Sequence, residues 1–341
     1  MLRNESSQVK QTILIRRSFV PQDDNHSKQD TTHEPFTFVI TINICTFKSV
    51  KIIPLKNSYT MKPSFLLVFI LSAGLSYAQP SNEKGKPFIL GVIDELPSTI
   101  LAEKRVLNIY LPEGYARNDT ARYPVVYLLD GSADEDFIHI TGLYQFNNFS
   151  WINRVPKSII VGIANVDRER DFSYPLSIAE DKKNHPNAGG SEKFIAFLEK
   201  ELQPYIAKKY RTARSRTIIG QSLGGLLATE ILLKKPALFD QYIIISPSLW
   251  WDNGSLLKLK PAPVDARTGV YIGVGKEGLG PGTIPHVMEV DANILADKLR
   301  TEAKNLTVHF DYLPQEDHAT VSHQAVFNAL RLLYPGAADK K

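Results

Sequence analysis

The stretch that most constrains the fold runs from Thr217 to Ala228. An apolar run rises into Gly220-Gln221-Ser222-Leu223-Gly224, and a helix-forming run from Leu226 to Lys235 follows at once. Strand, sharp turn and helix in that order are what a nucleophile elbow requires. The turn strains the backbone at Ser222 so that its hydroxyl stands clear of the sheet, and a Cβ at Gly220 or Gly224 is expected to clash across so tight a bend. The helix behind it aims its N-terminus at the same spot. The Leu223 backbone N–H and the helix dipole therefore face any oxyanion formed there.

Not all of the 341 residues belong to that domain. Met61-Lys62, the apolar run Phe65 to Leu75 and then Ser76-Tyr77-Ala78-Gln79 have the charged start, short apolar core and small-residue cleavage site of a secretory signal peptide. That run is short for a bilayer span. The expectation is that residues 1–60 are upstream sequence, that 61–78 are a signal peptide cleaved near Ala78, and that 79–341 form a single domain, exported to the periplasm or the exterior. Removing residues 1–78 takes away nine of the 40 Lys and Arg and five of the 36 Asp and Glu, leaving 31 of each. A neutral chain offers no electrostatic case for nucleic acid or an anionic membrane surface. The single cysteine, Cys45, goes with the removed part, so disulfide, thiolate and cysteine-metal chemistry are excluded from the domain.

Along the domain, Val106 to Leu111 alternates and ends at Pro112, as a strand does. Tyr123 to Leu129, Ser158 to Ala164, Tyr242 to Ser246 and Val270 to Val274 are nearly continuous apolar runs, the pattern of parallel strands covered on both faces. Phe194, Phe197, Leu198, Leu202 and Ile206 recur at helical spacing over 191–210, predicting a long amphipathic crossover. A helix around 291–303, a strand over 306–313 and a closing helix over 322–333 complete an α/β domain with a mostly parallel sheet. Ligands of such sheets sit at the strands' carboxyl ends.

A serine hydroxyl becomes nucleophilic when a base takes its proton, and a histidine base needs an acid to hold its tautomer. Of the four histidines after Ser222, His309 falls within a strand and His323 on the closing helix. His286 is the third, and His318, which stands in the loop directly after the last strand and just before the last helix, is the expected base. Glu277, a few residues beyond Val274, is the expected acid, with Glu289 and Asp291 as competitors. The second oxyanion donor should come from the loop after the Tyr123–Leu129 strand, where the Ser132 backbone N–H is the candidate. Trp250 and Trp251 adjoin after a strand and suit an apolar acyl pocket, although core packing of at least one is the alternative. In the segment 167–172, Arg170 either turns toward an anionic substrate or joins an ion-paired loop.

Five blocks occur in order: Ser98 to Leu101 with Arg105, Tyr123 to Gly131, Asn165 to Asp171, Gly220 to Gly225, and Ser246 to Trp251. Together, over residues 87 to 334, they resemble the Putative esterase family of α/β-hydrolases, which includes enterochelin-type siderophore esterases, S-formylglutathione hydrolase, feruloyl and acetylxylan esterases and secreted mycolyltransferases. The Trp-Trp and Arg-x-Arg-Asp blocks are most similar to the siderophore-esterase branch. The resemblance implies an α/β-hydrolase fold with a mostly parallel central sheet flanked by helices, Ser222 as nucleophile, His318 as base and Glu277 as acid. The acid's segment departs from the family pattern, and some siderophore esterases rest on a Ser-His pair. No cofactor or metal is implied, and the expected partner is a small-molecule or saccharide ester. An acyltransferase with the same machinery and a catalytically silent binding protein are the rival expectations. Mass spectrometry of the secreted protein is expected to find a chain beginning near Gln79; a chain beginning at Met1 contradicts the signal-peptide reading.

Overall fold

Eight strands form one sheet in the computed structural model: β1 Val92–Ser98, β2 Glu103–Tyr110, β3 Tyr123–Leu128, β4 Ile159–Ile163, β5 Thr212–Gln221, β6 Gln241–Ile245, β7 Thr268–Gly275 and β8 Leu306–Leu313. Their order is β1-β2-β4-β3-β5-β6-β7-β8. β4, β3, β5, β6, β7 and β8 pair in parallel, whereas β1 and β2 join antiparallel at one edge. The structure describes residues 86–116, 120–264, 268–279 and 284–335. The expected extension 1–60 and signal peptide 61–78 lie outside the described residues.

The apolar runs behave as their lack of alternation demands. All five residues of β4 are buried, and neighbouring side chains of β3 go to opposite faces, Val125 and Tyr127 into one core cluster and Val126 and Leu128 into the other. The first cluster is closed by Ser191–Phe197 (α4), Leu223–Lys234 (α6) and Val287–Glu302 (α7), the second by Phe137–Asn147 (α1) and Val321–Leu333 (α8). Between α1 and α4 lie two short helices, Arg168–Phe172 (α2) and Ala179–Asn184 (α3), and Gln203–Lys209 (α5) precedes β5.

Three elements differ from the sequence expectation. The predicted helix over 191–210 is interrupted by a π-helical stretch at Leu198–Leu202, two residues short of Pro204. Pro204 has no N–H for the carbonyl four residues back and its ring crowds that carbonyl, so the helix widens there. β1, with Asp94, Glu95 and Pro97 among its seven residues, carries no apolar alternation, yet it pairs residue for residue with β2 from Val92↔Ile109 to Ser98↔Glu103. The buried Asp94 accepts from Tyr210 Oη and Lys209 Nζ, each at 2.6 Å. Those bonds hold its carboxyl below the ordinary value in spite of burial. α7 begins at Val287, one turn earlier than its apolar spacing indicates.

β3 leads toward β4 on one side and β5 leads toward β6 on the other, so the strand order reverses between β3 and β5. In open α/β sheets that switch point is where a ligand crevice opens beyond the strand ends. On the other side of β3 the backbones are close at the end of β4: a Cβ on Gly162 would stand 2.4 Å from Gly131 O and 2.6 Å from the Phe137 ring. Gly162→Ala is expected to destabilise the fold by about 1–3 kcal/mol through this overpacking, read as a lower urea midpoint at unchanged slope.

Candidate functional site

The elbow forms as its sequence requires. β5 ends at Gln221, α6 begins at Leu223, and Ser222 between them has φ 60° and ψ −118°. A non-glycine residue adopts that conformation only where its surroundings over-determine it, and here the Ser222 N–H donates to Ile245 O at 3.0 Å while Ser222 O accepts from Leu226 N–H and Ser248 N–H. A Cβ on Gly220 would lie 2.4 Å from Gly224 O, so that glycine is sterically required. Gly224 is not: its Cβ would meet no heavy atom nearer than 3.4 Å. The second constrained position is Gly225, where a Cβ would come within 2.9 Å of Ile245 O. Leu223 is the first residue of α6, and its N–H is one of those a helix start leaves without an internal partner.

His318, after β8, meets Glu277, after β7, with Nδ1 2.6 Å from Oε2. A carboxylate only accepts, so Nδ1 carries the proton and Nε2 is left as the basic nitrogen. The Glu277 side chain is 1% exposed and that of His318 46%. Glu277 uses both oxygens, because Oε1 accepts from Ser246 Oγ. Of the three carboxylates the sequence left open, Glu277 is the one against His318 among the described residues. Glu289 lies behind it: its Oε1 accepts the Glu277 N–H at 2.9 Å and pairs with His286 Nδ1 at 2.8 Å. Against the opposing effect of burial, those bonds hold its carboxyl below the ordinary value. Asp291 lies within α7, where burial raises its carboxyl.

The His318 loop is brought to the elbow by Gln221, whose Nε2 donates to His318 O at 2.5 Å. The Ser222 hydroxyl itself faces Ser248 Oγ at 3.3 Å, not His318. Ser248 and Ser246 bracket Pro247 after β6 and had no signal in the sequence beyond lying in the Trp-Trp block. On the other side, Asp130 at φ 52° takes a bidentate pair from Arg168, Nε at 2.7 Å and Nη2 at 2.9 Å, and accepts from Asn165 Nδ2 at 2.7 Å. Arg168 also reaches Gln221 O at 3.3 Å. Ser132 follows in this loop, where its N–H donates at 3.3 Å to the Glu135 carboxylate.

Two expected substrate contacts are corrected. Trp251 is 1% exposed in the core, its indole N–H donating to Tyr174 O at 3.1 Å. Burial of so large a ring with its donor satisfied leaves no face for a ligand. Trp250 is only partly buried and packs tilted on it at 5.8 Å. Arg170 is ion-paired with Asp171 and Glu103, each at 2.8 Å, around the buried Arg105. With its guanidinium spent on two carboxylates, Arg170 is not directed at a substrate. The arginine that faces the elbow is Arg168, two residues earlier in the same motif.

With this geometry in place, the comparisons assign the class. The Putative esterase family matches residues 98–318, and the chain belongs to it, a family of carboxylic ester hydrolases, with the α/β-hydrolase fold. Over 169 residues the chain is 33% identical to the ferri-bacillibactin esterase BesA of Bacillus subtilis (strain 168), a match covering 46% of this chain and 58% of that protein, less than two thirds of the relative's length. An IroE-like serine hydrolase from Shewanella oneidensis is 33% identical with a TM-score of 0.63, covering 72% of this chain and 80% of that one. The BES protein from Bacillus cereus is 26% identical with a TM-score of 0.65, covering 76% of this chain and 100% of that one.

Asp136, which opens α1 at the end of the same loop, is the site's most perturbed carboxyl. Burial first, then Asp130 and Glu135, raise it from 3.8 to about 6, with Arg168 opposing. A raised carboxyl binds its proton more tightly in the folded than in the unfolded chain, so stability falls as pH rises from about 4 to about 6. Asp136→Asn is expected to flatten that fall and to add about 1–2 kcal/mol at pH 7.5, allowing for solvent screening, with little gain at pH 3.5. Denaturant melts at the two pH values check it.

Proposed function

We propose that the protein is an exported serine esterase that cleaves a small-molecule carboxylic ester through an acyl-enzyme on Ser222. The observation that carries this reading is the buried Glu277 paired with His318 at 2.6 Å, in a loop tied to the residue before a strained Ser222. In the proposed cycle, rotation about χ1 turns the Ser222 hydroxyl from Ser248 toward His318 Nε2. His318 takes its proton, Ser222 Oγ attacks the ester carbonyl, and the Leu223 and Ser132 N–H groups hold the oxyanion. To do so the Ser132 N–H has to leave the Glu135 carboxylate, to which it donates at 3.3 Å, and a donor of this kind typically accounts for about 10²–10³ in rate. His318 then protonates the leaving alcohol, and water, activated by the same nitrogen, releases the acid. Glu277 stabilises the imidazolium formed in both halves.

A siderophore ester is the favoured substrate class, since the named Bacillus subtilis relative is a ferri-bacillibactin esterase. The partly exposed face of Trp250 supplies an aromatic wall for such a group. Export follows from the signal-peptide pattern of residues 61–78.

Ser222→Ala is expected to abolish hydrolysis of p-nitrophenyl esters with an unchanged circular-dichroism spectrum, and a fluorophosphonate should add once, at Ser222. Glu277→Gln should lower kcat by about 10²–10⁴. Turnover retained in Ser222→Ala rules out this mechanism, and a folded protein that takes no adduct is a binding protein on the same fold. Product analysis with added alcohols distinguishes hydrolysis from acyl transfer.

A further inference from the structure

We propose that Gln221 is a positioning residue for the base, its side-chain amide setting where His318 stands relative to Ser222. This inference rests on the serine-esterase reading. An imidazole held only through Nδ1 can swing about that one bond, so its place depends on a second fixed point in its own backbone. The loop offers few. Glu316 O accepts Lys276 N–H at 2.7 Å, and Asp317 closes a turn on itself by accepting from Ala319 and Thr320 N–H. Those bonds fix the loop to the end of β7 and to the start of α8. The bond that fixes His318 to the nucleophile's side is the one from Gln221 Nε2 to His318 O.

The amide can act as a ruler because both of its ends are determined. A backbone carbonyl only accepts, so Nε2 must face His318 O, and Oε1 accepts from Ser322 Oγ in the first turn of α8. The backbone of Gln221 is equally fixed. It is paired with Ile245 in the sheet, and its carbonyl accepts from Arg168, which is itself forked onto Asp130. One peptide bond separates this anchored residue from Ser222. The distance between nucleophile and base is thus spanned by one side chain of fixed length, which is neither base, acid nor oxyanion donor. A misplacement of about 1 Å in such an arrangement costs on the order of 10²-fold in rate.

Gln221→Met keeps the length and removes both hydrogen bonds, and Gln221→Asn keeps both groups but shortens the reach by one methylene. The full chain and both variants are compared on p-nitrophenyl butyrate, with kcat expressed per fluorophosphonate-titrated site, and by NMR of the histidine ring resonances. The expected result in either variant is a fall in kcat of about tenfold or more with KM within twofold, and displaced His318 ring signals with the other assigned histidines unmoved. Ser322→Ala should show the same pattern more weakly. Unchanged kcat, a raised KM at unchanged kcat, or unmoved His318 resonances each overturn the proposal. If Gln221→Met does not fold, Gln221→Asn decides. Absence of ester turnover and of fluorophosphonate labelling in the unmodified chain refutes the esterase reading instead, while the His318 resonances still report whether Gln221 holds that loop.

Discussion

A carboxylate taken out of water needs hydrogen bonds to offset its lost hydration. Glu277 meets that demand by drawing three loops together: Ser246 after β6, its own after β7 and His318 after β8. Parallel pairing makes this economical in chain length, because all three strands deliver their carboxyl ends to one edge of the sheet. The backbone N–H of Glu277 is taken by Glu289 on α7, so Glu277 is fixed from behind as well. Without that buried charge the three loops have no common partner.

A second set of polar ties crosses the switch point. Asp130, at the end of β3, and Gln221, at the end of β5, are bridged by Arg168, and Gln221 reaches on to His318 and Ser322. Ser222 therefore stands between two networks, one through Asp130 and Arg168 and one through Gln221 and His318, with its own backbone held in a conformation that neither strand nor helix would choose. The surrounding hydrophobic clusters give these networks a rigid frame, since α1 and α8 share one face and α4, α6 and α7 the other.

The parallel strands β3, β4, β6 and β7 were legible because each is a run of β-branched and apolar residues covered on both faces. The antiparallel edge was less so. β1 carries two carboxylates and a proline in seven residues, and its pairing with β2 and the bonds of Asp94 to Tyr210 and Lys209 hold it as a strand. Helix α1 left no periodic signal either, since its β-branched and aromatic residues favour extended structure and it is helical through packing on the sheet. At the candidate site, the elbow at Ser222 and the meeting of His318 with Glu277 follow from the places of these residues after strands. Trp251 and Arg170 were misjudged as substrate contacts because adjacency in sequence does not say which way a side chain turns.

What the sequence by itself determined is the order of strand, turn and helix around Ser222 and the local chemistry of each loop, because these depend on short-range sterics and on the periodicity of burial. What only the tertiary structure decided is which carboxylate meets His318, which arginine faces the elbow, and that the Gln221 side chain ties the end of β5 to the His318 loop. Those choices join residues that are tens to about a hundred positions apart. They follow from the way the sheet brings its strand ends together, and no local pattern encodes that distance.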